Sequence, residues 1–254
     1  MKFELQIANM WKRISAFILD MILLCIAATG AMYALSAITG YDAYSEQLNA
    51  YYAQYEKEYG IETFDITEDE YLGLSDEARA QYDEAYGALT QDEKVLHTYS
   101  MVVNLTTLIT SLSFFIAFAL LEFAVPLLLG NGQTVGKKIF GLGVIRCDGV
   151  KVNAFMLFVR TLLGKFTIET MIPIMLFVML IFGIVGVMGP IVIILILLLQ
   201  IILLLVTKNR TVIHDAFAQT VVIDLASQLV FDTPEALQAY KKKLAGEEVA
   251  RAEY

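Results

Sequence analysis

The apolar positions of this chain gather into three long runs divided by polar stretches. Residues 14–38 form a run of 25 with one charge, Asp20. A bilayer core of roughly 30 Å needs about 20 helical residues, so this run predicts a membrane-spanning helix. Trp11, Lys12 and Arg13 mark its near edge. Residues 101–129 predict a second span, interrupted only by Glu122. The third run, 171–206, is 36 residues with no charge, too long for one straight span. Its middle, 183–190, holds three glycines and Pro190, the strongest breakers in the chain. Two spans joined by a tight turn are predicted there.

Basic residues give an independent check on the count of four. They gather at the N-terminus (Lys2, Lys12, Arg13), in 130–165 (Lys137, Lys138, Arg146, Lys151, Arg160, Lys165) and after the last span (Lys208, Arg210, Lys241 to Lys243). The positive-inside rule places all three groups in the cytoplasm, which an even number of spans satisfies. The predicted layout is therefore an N-terminus and first span over 1–40, an extracytoplasmic insert over 41–98 and a second span over 99–129. A basic cytoplasmic segment follows at 130–165, then spans three and four over 166–206 and a cytoplasmic tail over 207–254. The fold class expected is an all-α membrane protein with four transmembrane helices, a helical extracytoplasmic insert and a small cytoplasmic β-hairpin. The expected setting is a bacterial inner membrane, with both termini in the cytoplasm and the lipid bilayer as first partner.

The insert carries most of the charge. Residues 41–95 hold fifteen acidic and three basic side chains, against a whole-chain net charge of −9. The remainder is slightly basic, so the overall acidity says nothing of nucleic acid, and no basic stripe suggests it. Tyr44, Leu48, Tyr51, Tyr55 and Tyr59 recur at helical spacing and predict a tyrosine seam. Thr67 with Glu70 and Thr90 with Glu93 fit capping boxes, and Ser75 fits a helix N-cap. Asp65-x-Thr67-x-Asp69 lacks the glycine of a calcium loop. Cys25 and Cys147 fit neither a bridge nor a metal site.

A charge at mid-bilayer costs at least ~2.5–3.5 kcal/mol, so each intramembrane ionisable group needs a reason. Asp20, Glu122, Glu169 and Gln200 all fall in the cytoplasmic half of their spans and form a candidate ion or proton site. Gathering at one depth also suits a structural cluster of ion pairs. Arg13 and Asp20 lie seven residues apart on one helical face, about 10 Å, too far for direct contact without a third group. Pro126 follows Glu122 by four and removes the helical partner of its carbonyl.

Between spans, Gly132-Gln-Thr-Val-Gly136-Lys137-Lys138 fails as a phosphate loop in spacing and in the residue after lysine. Its lysines are expected to snorkel to headgroups while Gly132 and Gly136 permit close backbone approach. Residues 144–152, centred on Asp148-Gly149, predict the hairpin, with 221–223 adding a third strand. His214-Asp215 has no nucleophile placed with it and is weak evidence for catalysis. No enzyme and no cofactor is expected.

Taken in order, these segments resemble the RDD family of membrane proteins, named for an arginine and two aspartates. Arg13-Ile-Ser-Ala16-Phe17-Ile-Leu-Asp20 resembles its first motif, and Gly132-Gln133-Thr134-x-Gly136-Lys137 with Asp148-Gly149 its centre. Thr211-x-x-His214-Asp215 and Thr220-Val221-Val222 resemble its close. The resemblance implies that Arg13, Asp20 and Asp215 are the signature charges, and that the activity is transport of a cation or coupled to protons. The rival expectation is a non-transporting scaffold or accessory subunit whose acidic insert binds a partner protein. Four spans make a thin wall for a conduit, so transport would favour a homo-oligomer or a membrane complex. Arg13 and Asp215 are expected within salt-bridge distance, or sharing Arg160 or Lys165 between them. Asp20 is expected to face Glu122 or a basic residue inside the bundle.

Overall fold

The computed structural model describes residues 5–252, with side chains through Glu247. Among the described residues, four helices are long and apolar enough to cross a membrane: Met10–Thr39, Glu93–Leu129, Ala154–Ile181 and Met188–Val206. They are called the first to fourth spans below. The uncharged run does reverse, at Gly183 (φ 66°), between Ile181 and Met188.

The third span starts well before its predicted place. Residues 154–165, assigned by sequence to the basic segment, are helical and continue into the apolar run. Arg160 and Lys165 hid this on sequence, because hydropathy counts them as interruptions. Both are buried among partners inside the protein and not turned to lipid.

Two stretches of these spans are wound as π-helix, Ala119–Ala124 in the second span and Val159–Met171 in the third. Pro126 and Pro173 each follow within the next turns, where an α-helical hydrogen bond is lost. The carbonyl of Glu122 takes the Thr161 hydroxyl at 2.9 Å instead. Thr167 and Thr170 likewise donate to carbonyls five residues back, at 2.7 and 2.9 Å. Such windings concentrate at functional sites, and these two contain Glu122, Arg160, Lys165 and Glu169.

The chain forms two compact units. One is Met32–Thr110. Within it, helices Tyr41–Tyr59 and Asp76–Gln91 pack around Leu48, Leu89, Val95 and Val102, with the tyrosine seam alongside. Gly40 and Gly60, both at positive φ, bracket the first of these helices. Thr67 makes its capping box with Glu70, and Ser75 caps the next helix. The second proposed box is corrected: Thr90 lies inside a helix and bonds the Tyr86 carbonyl at 2.7 Å. Asp92 takes the capping role, accepting from the Lys94 amide at 2.7 Å. Tyrosine hydroxyls donate to carboxylates, Tyr55 to Asp92 at 3.0 Å and Tyr71 to Asp83 at 2.7 Å, which suits so acidic and tyrosine-rich a unit.

The other unit holds the remaining described residues and a two-stranded sheet. Strand β1, Leu142–Arg146, pairs antiparallel with β2, Thr220–Asp224, in the register Val144 with Val222. The expected hairpin shrinks to one bridge, Ile145 with Lys151, because the turn at Asp148-Gly149 leads straight on to a helix capped by Asn153. The expected third strand is thus the main partner. Ile7 bridges Ile223 on the free edge of β2. Leu142, Val144, Ile145, Val221, Val222 and Ile223 are buried, which shields a sheet too small to stand alone.

Candidate functional site

Three groups of buried charges lie in the second unit, each built across several chain segments. The first surrounds Asp20, 6% exposed on the first span. Its Oδ1 accepts from the Gly136 amide at 2.7 Å, and its Oδ2 from the Thr134 hydroxyl at 2.5 Å. Lys137 Nζ is 3.7 Å from Oδ2. Thr134 is the N-cap of helix Val135–Ile139, so the carboxylate meets free amides at the start of that helix. A Cβ on Gly136 would stand 2.4 Å from the Ala16 carbonyl oxygen, so only glycine lets this backbone touch the first span. Gly132, at φ 60°, is similarly enclosed by Val144 and Val152. Asp20 therefore faces the basic residue Lys137, and its partners lie on the segment between spans two and three, not at Glu122. Lys137 does not snorkel to headgroups: it turns inward, and Lys138 is the exposed lysine.

Gly136→Ala should cost about 1–3 kcal/mol, the range for an overpacked core. Gly30→Ala, where an added Cβ meets nothing within 4 Å, should leave stability unchanged. Thermal unfolding of the two purified variants in one detergent checks the contrast.

The second group is Glu122 with Lys165. Glu122 is 2% exposed on the second span, and its Oε1 accepts from Lys165 Nζ on the third. Its Oε2 is buried and has no hydrogen-bond partner. Lys137 and Arg160 are within electrostatic reach. Lys165 also sits 5.8 Å from the Phe118 ring centroid, a cation–π distance.

The third group centres on Asp215, 1% exposed in helix Ile213–Ala218. Its Oδ1 accepts from Arg160 Nε and from the Thr220 hydroxyl, both at 2.9 Å. Arg13 approaches Oδ2 at 3.7 Å and donates to the Arg210 carbonyl at 2.8 Å. Arg210 stands at φ 50°, rare for a residue with a side chain. Burial would raise the Asp215 carboxyl, but the guanidinium groups of Arg160 and Arg13, with the Arg160 hydrogen bond, outweigh it and hold it well below the usual range. Beside it, His214 bonds Glu169 through its backbone amide and its ring Nδ1, each at 2.8 Å. Gln200 Oε1 accepts from the Ile213 amide at 3.1 Å.

The signature charges thus divide between two of the groups: Arg13 joins Asp215 beside Arg160, and Asp20 belongs with Thr134 and Gly136. Of the expected ion site of Asp20, Glu122, Glu169 and Gln200, the last two stay together, with Gln200 hydrogen-bonded to Glu169 and both meeting the start of helix Ile213–Ala218, while Asp20 and Glu122 have other partners. Among the described residues, no group of three or more His, Cys, Asp or Glu is placed to hold a metal ion. Across the three groups the carboxylates of Asp20, Glu122 and Asp215 are met by Lys137, Lys165, Arg160 and Arg13, and Glu169 is held by His214, so that four carboxylates stand against four Lys and Arg side chains. With His214 neutral the buried layer carries no net charge. Burial, with Arg160 and Lys165 nearby, pushes the Lys137 ammonium down to about 8 despite Glu122 and Asp20.

Sequence reasoning undervalued Thr134, Thr161, Thr220, Lys137 and His214. The capping pattern at Thr134 was the one legible signal; the others depend on contacts across 39 or more residues, or on an ordinary hydroxyl meeting a buried oxygen.

The family model described as the RDD family matches residues 7–219. No curated protein and no solved structure matches the chain.

Proposed function

We propose that this chain, which belongs to the RDD family, is a multi-pass membrane protein exchanging a proton for a small monovalent cation, with Glu122 and Lys137 as the working pair. The single observation that carries the reading is the buried, unpartnered Oε2 of Glu122 within a membrane span. An intramembrane carboxylate with a free oxygen is an acceptor for a ligand, and an ionisable group at that depth is a functional candidate by default. Ser113 Oγ, nine residues earlier on the same span, is also buried and unpartnered. That separation corresponds to about 13 Å of rise.

Charge balance sets the coupling. The buried layer is neutral, so a cation entering at Glu122 leaves it neutral only if one resident cation loses its proton. Arginines do not deprotonate at physiological pH. Lys137, lowered to about 8 by burial, is a resident cation that can give up its proton near physiological pH. The signature residues Arg13, Asp20 and Asp215 hold the spans and short helices in register around this pair. One carboxylate without further acidic ligands suits a monovalent cation better than a calcium-type site, which takes several oxygens. The basic segments support a bacterial inner membrane with both termini in the cytoplasm as the setting, and a homo-oligomer would thicken the conduit wall.

A second reading is a scaffold or accessory subunit. It is favoured by the near-complete pairing of the charge layer and by the acidic residues 41–95, which would attract a basic partner protein. Proteoliposomes with an imposed pH gradient separate the two. Sodium or potassium uptake above the level of empty vesicles, collapsing the gradient, is expected for the exchanger. No uptake of any alkali cation would leave the scaffold.

A further inference from the structure

The hydrogen bonds around His214 dictate its protonation state. The Glu169 carboxylate accepts at Nδ1, so that nitrogen carries the hydrogen. The Arg160 guanidinium, 3.1 Å from Nε2, has only donors, so Nε2 must be the bare acceptor. The ring is therefore neutral and bonded on both sides to the third span. Gly164 reinforces the junction: a Cβ there would lie 2.7 Å from both Cα and Cβ of His214.

We infer that His214 is an acid-released latch, tying helix Ile213–Ala218 to the third span while neutral and letting go when Nε2 gains a proton. A proton on Nε2 would point an N–H at the Arg160 N–H, two donors with no acceptor. The nearest alternative acceptor is Asp215 Oδ1 at 3.8 Å, already holding Arg160 Nε and the Thr220 hydroxyl. His214 and Arg160 would then compete for one carboxylate. The facing groups are Arg160 and Glu169 from the third span, Arg13 from the first, Asp215 on the same helix and uncharged Gln200 from the fourth. Burial, with Arg160, lowers the imidazole from its ordinary value against the pull of Asp215 and Glu169, so the latch stays closed at neutral pH.

The latch stands on these contacts alone. Its consequence for transport rests on the proposed function, since releasing Arg160 would change the charge facing Glu122. Hydrogen exchange of the reconstituted full chain, corrected for intrinsic pH dependence, tests it without any flux. Protection of the Ile213–Ala218 amides should be high at pH 7.5 and fall at least tenfold by pH 5. In His214→Gln, whose amide can donate to Glu169 and accept from Arg160 but cannot titrate, protection should not change with pH. Equal loss of protection in His214→Gln, or none in the native protein, would overturn the inference. Should that variant fail to fold, ¹⁵N spectra of histidine-labelled protein decide. His97, the other histidine, is exposed and can be replaced for assignment. An imidazolium at pH 7, or opening at a pH unrelated to the His214 titration, would equally overturn it.

Discussion

Arg160→Met is expected to destabilise the protein by about 3–5 kcal/mol, the range for breaking a buried ion pair from one side. Arg160 is 3% exposed and supplies the closest cation to Asp215, with Nε at 2.9 Å. Arg13 stands farther off, at 3.7 Å, with its other terminal nitrogen on the Arg210 carbonyl. The variant leaves a buried carboxylate and an unpaired His214 nitrogen. Asp215→Leu combined with Arg160→Met should recover much of the loss, since apolar replacement of both partners is often near neutral. Unfolding midpoints in detergent for the single and double variants measure this. The sign of the pH dependence follows from Asp215. Its folded value is depressed, so its stabilisation is present above the unfolded value of roughly 3.9 and is lost on further acidification. That acid-dependent loss should shrink when Arg160 is replaced. Equal stability of the single variant and the native protein would mean the pair is incidental.

How much of this was legible in the sequence follows from which forces act locally. The four spans and the reversal near Gly183 show because bilayer thickness and glycine's conformational freedom act on short windows. The start of the third span does not show, because Arg160 and Lys165 read as breaks until their partners Asp215 and Glu122 are placed beside them. β1 and β2 are 74 residues apart at the pairing of Arg146 with Thr220 and are closest there in sequence, yet the β-branched run at 221–223 is enough to suggest the partnership. The hairpin was misjudged in extent because Asp148-Gly149 specifies a turn but not how far the strands run beyond it. In the charge layer, the approach of Arg13 to Asp215 followed from both ends lying at one level. The partner of Asp20 did not follow, because it includes a backbone amide that any residue carries and that only Gly136 brings close enough. The unpartnered oxygen of Glu122 has no counterpart in the sequence at all.

The second large effect concerns that oxygen. Glu122→Gln keeps the size of the side chain and a carbonyl for Lys165, at a cost in stability because it breaks a buried ion pair from one side, and it removes the charge proposed to attract a cation. The linkage has a definite sign. In the proposed exchange, Lys137, held at about 8, carries its proton at lower pH, so an entering cation would expel it; at higher pH a cation would bind without proton release. Apparent cation affinity should therefore rise with pH up to about 8 and level off beyond it. The measurement that meets this directly is the count of protons released when sodium or potassium chloride is added to the weakly buffered, reconstituted protein at pH 7 and at pH 9. The native protein should release close to one proton per cation bound at pH 7, and far less at pH 9. Glu122→Gln should release none at either pH. Cation binding without proton release at pH 7, or release undiminished in Glu122→Gln, would contradict the assignment of Glu122 and Lys137 as the exchanging pair.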